Sequence, residues 1–119
     1  MTQEEKELLL VDLSARFPYN VAIDCRSEDS RFTCYLTTDM LREIQNNTCY
    51  WEYKPFLFPF SSMTEEQSKI YHELIGGMFG TSTLINFEVL EDFFHKNHLD
   101  YKGLIEKGLA INATGLNIY

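Results

Sequence analysis

Two prolines four positions apart, in the run Lys54-Pro55-Phe56-Leu57-Phe58-Pro59-Phe60, constrain this chain more than any other feature. A residue that precedes proline avoids the helical region, so Lys54 and Phe58 are expected to be extended. In an extended chain alternate N–H groups point to the same edge. Pro55, Leu57 and Pro59 share one edge, and the prolines have no N–H to offer. That edge keeps only the Leu57 donor. The run is therefore expected to be an edge strand with its proline side turned outward and guarded against further pairing. Phe56, Phe58 and Phe60 project to one face, and burying each is worth about 1.5–3 kcal/mol. That face is expected in the core, with Leu57 on the outer face.

Such a strand needs partners, because a lone hairpin is rarely stable. Residues 20–26 and 31–37 supply them, joined by the polar turn Ser27-Glu28-Asp29-Ser30. Setting Arg26 opposite Arg31 places Cys25 opposite Phe32 and Ile23 opposite Cys34. One face then carries Val21, Ile23, Cys25, Phe32, Cys34 and Leu36. The other carries Ala22, Asp24, Arg26, Arg31, Thr33 and Tyr35. Both strands sort into an apolar and a mostly polar face in a single register, which supports the pairing. A two-residue turn and a four-residue loop give the same register.

The rest of the chain has helical signals. Thr2 and Glu5 form a capping box, and Glu4, Glu5 and Glu7 suit the positive end of a helix over residues 2–17. Leu9, Leu10, Leu13 and Phe17 make one apolar stripe, and Leu8, Val11 and Ala15 a second. Thr38-Asp39 can cap a short helix over 40–45 that Asn46-Asn47 closes. Thr64 and Gln67 form another capping box, opening a helix expected to stop at Gly76-Gly77 with Ile70, Tyr71, Leu74 and Ile75 inward. A loop through Gly80 to Thr83 leads to a last helix over 87–97, with Val89, Leu90, Phe93 and Phe94 inward. The tail after His98 has three glycines and no strong period, and is expected to form packed turns with at most one short helix or strand.

These elements amount to an α+β fold: an N-terminal helix, a small antiparallel sheet built from the hairpin and a third edge strand, and a helical C-terminal half. At 119 residues the chain is read as a single domain, 1–119. Ten basic against 18 acidic residues leave a net charge of −8. That balance argues against direct binding to nucleic acid or to an anionic membrane, since both require positive charge. No apolar run approaches the ~20 residues of a membrane span. The opening MTQEEKELLL is acidic where a signal peptide is basic, so a cytoplasmic location is expected.

Three cysteines, Cys25, Cys34 and Cys49, are an odd number without a CxxC pair, which fits neither a disulfide framework nor a zinc ribbon. Cys25 and Cys34 fall diagonally on one hairpin face, where Cβ atoms usually stand too far apart for a disulfide. All three are expected to stay reduced. Among chemistry-bearing groups, His95 and His98 lie near the end of the last helix with Glu91, Asp92 and Asp100 close by, which is metal-site vocabulary. On a helical wheel the two histidines diverge, with His95 among Glu88, Glu91 and Asp92 and expected at the surface. No metal and no cofactor are assigned. An Asp100 carboxylate holding His98 could make a general base, but no partner nucleophile stands out. His72 falls on a polar helix face. Tyr101 follows in the turn Asp100-Tyr101-Lys102-Gly103, either folded onto the core or presented as an anchor. No GxGxxG, P-loop, GxSxG or HExxH is present.

The segments KPFLFPFSSMTEEQ, Lys54 to Gln67, and FFHKNHLDYKGLIEKGLA, Phe93 to Ala110, resemble a group of small proteins encoded by gut Bacteroidales and by their phages and integrated elements. Members pair a proline-flanked YLFP-SSMT-EE stretch with a C-terminal NKxHxDYRGLI-GLA stretch. The second is matched at Lys96, Asn97, His98, Asp100, Tyr101, Gly103, Leu104 and Ile105, with Lys102 where an arginine is usual. The resemblance covers about half the chain and implies a genomic setting, an accessory protein of a mobile element or its host, without an activity.

The function expected from these features is a small acidic non-catalytic interaction or regulatory protein with an unidentified protein partner. No catalytic residue is assigned, and His98, Asp100 and Tyr101 are the candidate binding residues. Two alternatives are a small enzyme using the His98/Asp100 neighbourhood and an acidic decoy of a nucleic-acid-binding protein.

Overall fold

Leu9, Asp12, Leu13 and Arg16 recur at helical spacing and are the residues that the first helix, α1 (Gln3–Arg16), buries. The computed structural model describes residues 1–80 and 87–119. Thr2 caps α1 in the expected box, its hydroxyl accepting from the Glu5 amide at 3.1 Å and the Glu5 carboxylate accepting from the Thr2 amide at 2.8 Å. The second expected stripe forms only in part: Leu8 packs half-buried against the core, but Val11 is 60% exposed. An ion pair, Asp12 with Arg16, lies on the buried face beside Leu9 and Leu13.

The hairpin has the expected register. Strand β1 (Ala22–Arg26) pairs antiparallel with β2 (Arg31–Tyr35), with Arg26 opposite Arg31, Cys25 opposite Phe32 and Ile23 opposite Cys34. The turn is closed by the Ser27 amide donating to the Ser30 carbonyl at 2.8 Å, while the Ser27 hydroxyl accepts from the Ser30 amide at 3.1 Å. Cys25 and Cys34 lie diagonally, yet their sulfur atoms meet at 3.2 Å. All three cysteines are free thiols, but separation is not what keeps Cys25 and Cys34 unjoined.

The short helix α2 (Thr38–Asn46) is capped one residue earlier than expected, by Thr37, and closes at Asn47 in the left-handed region. Strand β3 (Glu52–Leu57) then pairs antiparallel with β1, Pro55 opposite Ile23. It is not an edge strand. A two-residue strand β4 (Ile111–Asn112) runs parallel along its proline side, Phe56 opposite Ile111 and Leu57 opposite Asn112. The sheet is therefore mixed, in the order β2-β1-β3-β4. The missing proline donors left a poor ladder rather than an unusable one. The Leu57 carbonyl accepts from the Ala113 amide at 2.8 Å, and a strand of two residues needs few bonds. The other side of the same segment is used as well, where Phe58 donates to the His98 carbonyl and accepts from the Asp100 amide.

Helix α3 (Glu65–Gly80) begins at the expected Thr64–Gln67 box. It continues through Gly76-Gly77, since a glycine pair weakens a helix without ending it. Ile70, expected inward, is exposed, while Tyr71, Leu74 and Ile75 are partly buried. The expected loop from Gly80 to Thr83 falls, beyond Gly80, outside the described residues. Helix α4 (Phe87–Lys96) buries Leu90, Phe93 and Phe94 but exposes Val89.

The architecture is α+β, as expected. Strand β1 and the end of β3 are buried on both faces, whereas the outer strand β2 is largely exposed. Val21, Ile23, Cys25 and Leu57 meet Leu9 and Leu13 of α1, Met40 and Ile44 of α2, and Leu104 and Leu109 of the tail. On the opposite face Phe56 packs with Ala22 and Ala113, and Phe58 links that group to Leu90, Phe93, Phe94 and Leu99. Tyr119 completes this face, its hydroxyl accepting from the Ala22 amide at 2.9 Å and donating to the Phe56 carbonyl at 2.7 Å. It thereby bridges β1 and β3 just past the last ladder pair. Among the described residues no helix is long and apolar enough to cross a membrane.

Candidate functional site

The three residues singled out in the sequence, His98, Asp100 and Tyr101, sit together where α4 ends and the tail begins. Each is engaged inside the fold. His98 takes the left-handed conformation that terminates the helix, at φ 55°. Its ring stacks on Tyr119 with centroids 3.7 Å apart. Asp100 uses one oxygen on the Leu104 amide at 2.8 Å and the other on the Ile105 amide at 2.9 Å. It holds the following turn, in which Gly103 supplies φ +72°. A carboxylate bonded this way does not orient His98. Tyr101 folds onto the core, its ring stacked on Phe94 at 4.9 Å.

His95 overturns the surface expectation. It is only 6% exposed, and its Nε2 shares a 2.9 Å hydrogen bond with the Tyr101 hydroxyl. The wheel placed it among acidic neighbours on its own helix and could not show that α1 packs across that side. Burial, then the nearby Arg16 charge, lowers its basicity. Burial raises the Tyr101 phenol. The pair is therefore neutral at ordinary pH. The His95 ring bonds to Tyr101, whereas the His98 ring stacks on Tyr119 and its buried Nδ1 has no hydrogen-bond partner among the described residues. Among the described residues no group of three His, Cys, Asp or Glu side chains is arranged to hold a metal. His72 lies at the surface, as expected, on the Ser68 carbonyl at 2.6 Å.

Beneath Tyr101 lies a feature that apolar periodicity missed. Arg16 and Asp12 are both fully buried and joined by two bonds, Nε to Oδ2 at 2.7 Å and Nη2 to Oδ1 at 3.2 Å. Nη2 also donates to the Leu99 carbonyl, and the guanidinium stands 5.7 Å from the Tyr101 ring centroid. The signal was present in the sequence as Asp and Arg at i, i+4 within the stripe of Leu9 and Leu13.

This cluster has a pH consequence. Burial, then Arg16, pushes the His98 ring down to about 4 from its ordinary 6.5. As pH falls below 6.5 the unfolded chain takes up a proton that the native ring refuses, so stability is lost until about pH 4, where the native ring also charges. At ~1.4 kcal/mol per unit, discounted for the partial exposure of the ring, the loss is roughly 2 kcal/mol. Urea unfolding of the native chain is expected to show this decline. His98→Asn, which keeps a residue tolerant of the left-handed backbone, is expected to flatten it. Parallel pH profiles for the two proteins would refute the assignment to His98.

The surface offers a different group of residues. Phe32 of β2 is 46% exposed and Tyr50, just before β3, is 76% exposed. Both meet Trp51 edge-on, with centroids 4.9 and 5.4 Å from it. An open cleft of about 450 Å³ lies beside Trp51, lined by Leu9, Ile44, Cys49, Tyr53 and Lys107 among others. The hairpin pattern assigned Phe32 to the apolar face and so to the core. On the outer strand it meets Trp51 and stays at the surface.

Comparison of the chain with protein-family models, curated proteins and solved structures gives no match.

Proposed function

We propose that this chain is a small acidic non-catalytic interaction protein, an accessory of a mobile element, a phage or their Bacteroidales host, and that it holds a protein partner through Phe32, Tyr50 and Trp51. The exposed edge-to-face aromatic group carries the reading. Aromatic side chains are enriched as interface anchors, because they contribute large area for little lost rotamer freedom. The cleft beside Trp51 can accept one apolar side chain of the partner. The engagement of His98, Asp100 and Tyr101 within the fold supports a non-catalytic role over an enzyme. A net charge of −8 supports a protein partner over nucleic acid. The genomic setting rests on the resemblance of the two segments.

The test is affinity capture from a gut Bacteroidales host with three forms of the chain. Wild type and the distant surface variant Ile70→Ala are expected to recover the same partner. Phe32→Ala/Tyr50→Ala is expected to keep its melting temperature and to bind at least tenfold more weakly, since a hot-spot side chain is worth about 2 kcal/mol or more. Equal recovery by the double variant would refute this surface.

A further inference from the structure

We propose that Cys25 and Cys34 are a redox site, a dithiol that a peroxide converts to an intramolecular disulfide across the β1–β2 pair and that a thiol reductant restores. The sulfur atoms stand 3.2 Å apart, at diagonal positions on one face of the hairpin. Closing the bond needs the sulfurs to approach by about 1 Å, to the ~2.05 Å of a disulfide. Strands that already pair through five register positions hold the two residues together, so the bond forms without unfolding.

The two sulfurs differ in access, which sets their roles. Cys25 is fully buried on the central strand, whereas Cys34 is partly exposed on the outer strand. Burial, then the hydrogen bond to Cys34, pushes the Cys25 thiol up to about 12. Cys34 is accordingly the sulfur that meets the oxidant and Cys25 the one that resolves it. The Cys34 thiolate attacks one peroxide oxygen. A sulfur–oxygen bond forms, the oxygen–oxygen bond breaks, and hydroxide leaves. Cys25 then attacks the Cys34 sulfur of that sulfenic acid. The sulfur–sulfur bond forms, the sulfur–oxygen bond breaks, and water leaves with the Cys25 proton. Two thiols lose two electrons and one hydrogen peroxide becomes two waters. Cys49 is exposed and lies elsewhere, beside Trp51, and takes no part.

The site has a structural readout. Phe32 sits opposite Cys25 in the ladder, and β2 is the outermost strand. A disulfide would tie that strand to the sheet centre and slow amide exchange along it, since edge strands open at low cost.

The experiment uses the full chain carrying Cys49→Ser, so that only the two thiols remain. Native protein is treated with an excess of hydrogen peroxide and quenched. It is then weighed intact and digested with trypsin without reduction. The expected result is a loss of two hydrogen atoms in mass, no free thiol, and a linked pair of peptides. Cleavage after Arg26 and Arg31 separates Cys25 from Cys34, so only the disulfide can join them. Dithiothreitol is expected to restore both thiols. Exchange at the β2 amides is expected to slow by tenfold or more in the oxidised form. With Cys34→Ser added, the buried Cys25 is expected to keep its thiol under the same treatment. Surviving thiols in the two-cysteine protein would overturn the proposal. So would oxygen additions on Cys34 without a linked peptide, or a disulfide-bonded dimer. Cys25→Ala in the same background gives a second check. It is expected to leave Cys34 oxidised to oxygen adducts, and an unreacted Cys34 there would also count against the site.

Discussion

Asp12→Ala is expected to cost about 3–5 kcal/mol, the range for removing one partner of a buried ion pair. Asp12 and Arg16 are both wholly inaccessible to solvent. Without the carboxylate, the guanidinium would remain buried against the Leu99 carbonyl and the Tyr101 ring, with Nη1 unpartnered among the described residues. A domain of this size has roughly 5–15 kcal/mol in all, so the variant approaches unfolding. The double variant Asp12→Leu/Arg16→Met separates this cause from a generally fragile helix. It removes both charges and fills similar volume, which is near neutral or stabilising in buried pairs. It leaves the Leu99 carbonyl without its donor, at about 1–3 kcal/mol. The double variant is therefore expected to be more stable than Asp12→Ala alone. Urea unfolding of the three proteins decides it. A single variant within 1 kcal/mol of wild type would show that the pair is not structural at all, since loss of one buried partner should cost about 3 kcal/mol or more.

The same pair shows what local pattern can and cannot carry. Capping boxes at Thr2 and Thr64 and the hairpin register were legible, because each depends on residues close in sequence. The inner face of α1 was half legible. Leu9 and Leu13 stood out, but Asp12 and Arg16 are polar, and their burial depends on Leu99 and Tyr101, more than eighty positions away. His95 failed for a related reason. A helical wheel ranks positions by neighbours on one helix, whereas its burial comes from α1 and Tyr101. His98, Asp100 and Tyr101 are neighbours in sequence, and the fold gives each its own contact: Tyr119, the Leu104 and Ile105 amides, and Phe94. Their roles were not legible, because a carboxylate that holds two amides has the same letter as one that holds a histidine. Phe32 erred in the opposite sense. Alternation identifies the apolar face of a strand but does not show which strand ends up outermost.

Leu57→Ala is expected to cost about 2–5 kcal/mol, and at least as much as Phe58→Ala, the reverse of the order implied by an outward-facing Leu57. Leu57 is wholly buried among Leu9, Leu13, Ile23, Ile44 and Leu104, on the face that α1 and α2 cover. It shares that face with Ile23 because Pro55, two residues before it, stands opposite Ile23 in the ladder. Phe58 lies on the other face, partly exposed, with its ring 5.7 Å from Tyr119. Its two ladder bonds, to the His98 carbonyl and from the Asp100 amide, are backbone bonds that alanine keeps. Truncating Phe58 thus loses side-chain area that is already partly wet. Truncating Leu57 opens a cavity at the junction of two helices and three strands, which cannot collapse without moving the sheet. Chemical denaturation of both variants measures the difference. A cost for Leu57→Ala of less than 1 kcal/mol, with several for Phe58→Ala, would mean that the Leu57 side chain lies on an outward face after all.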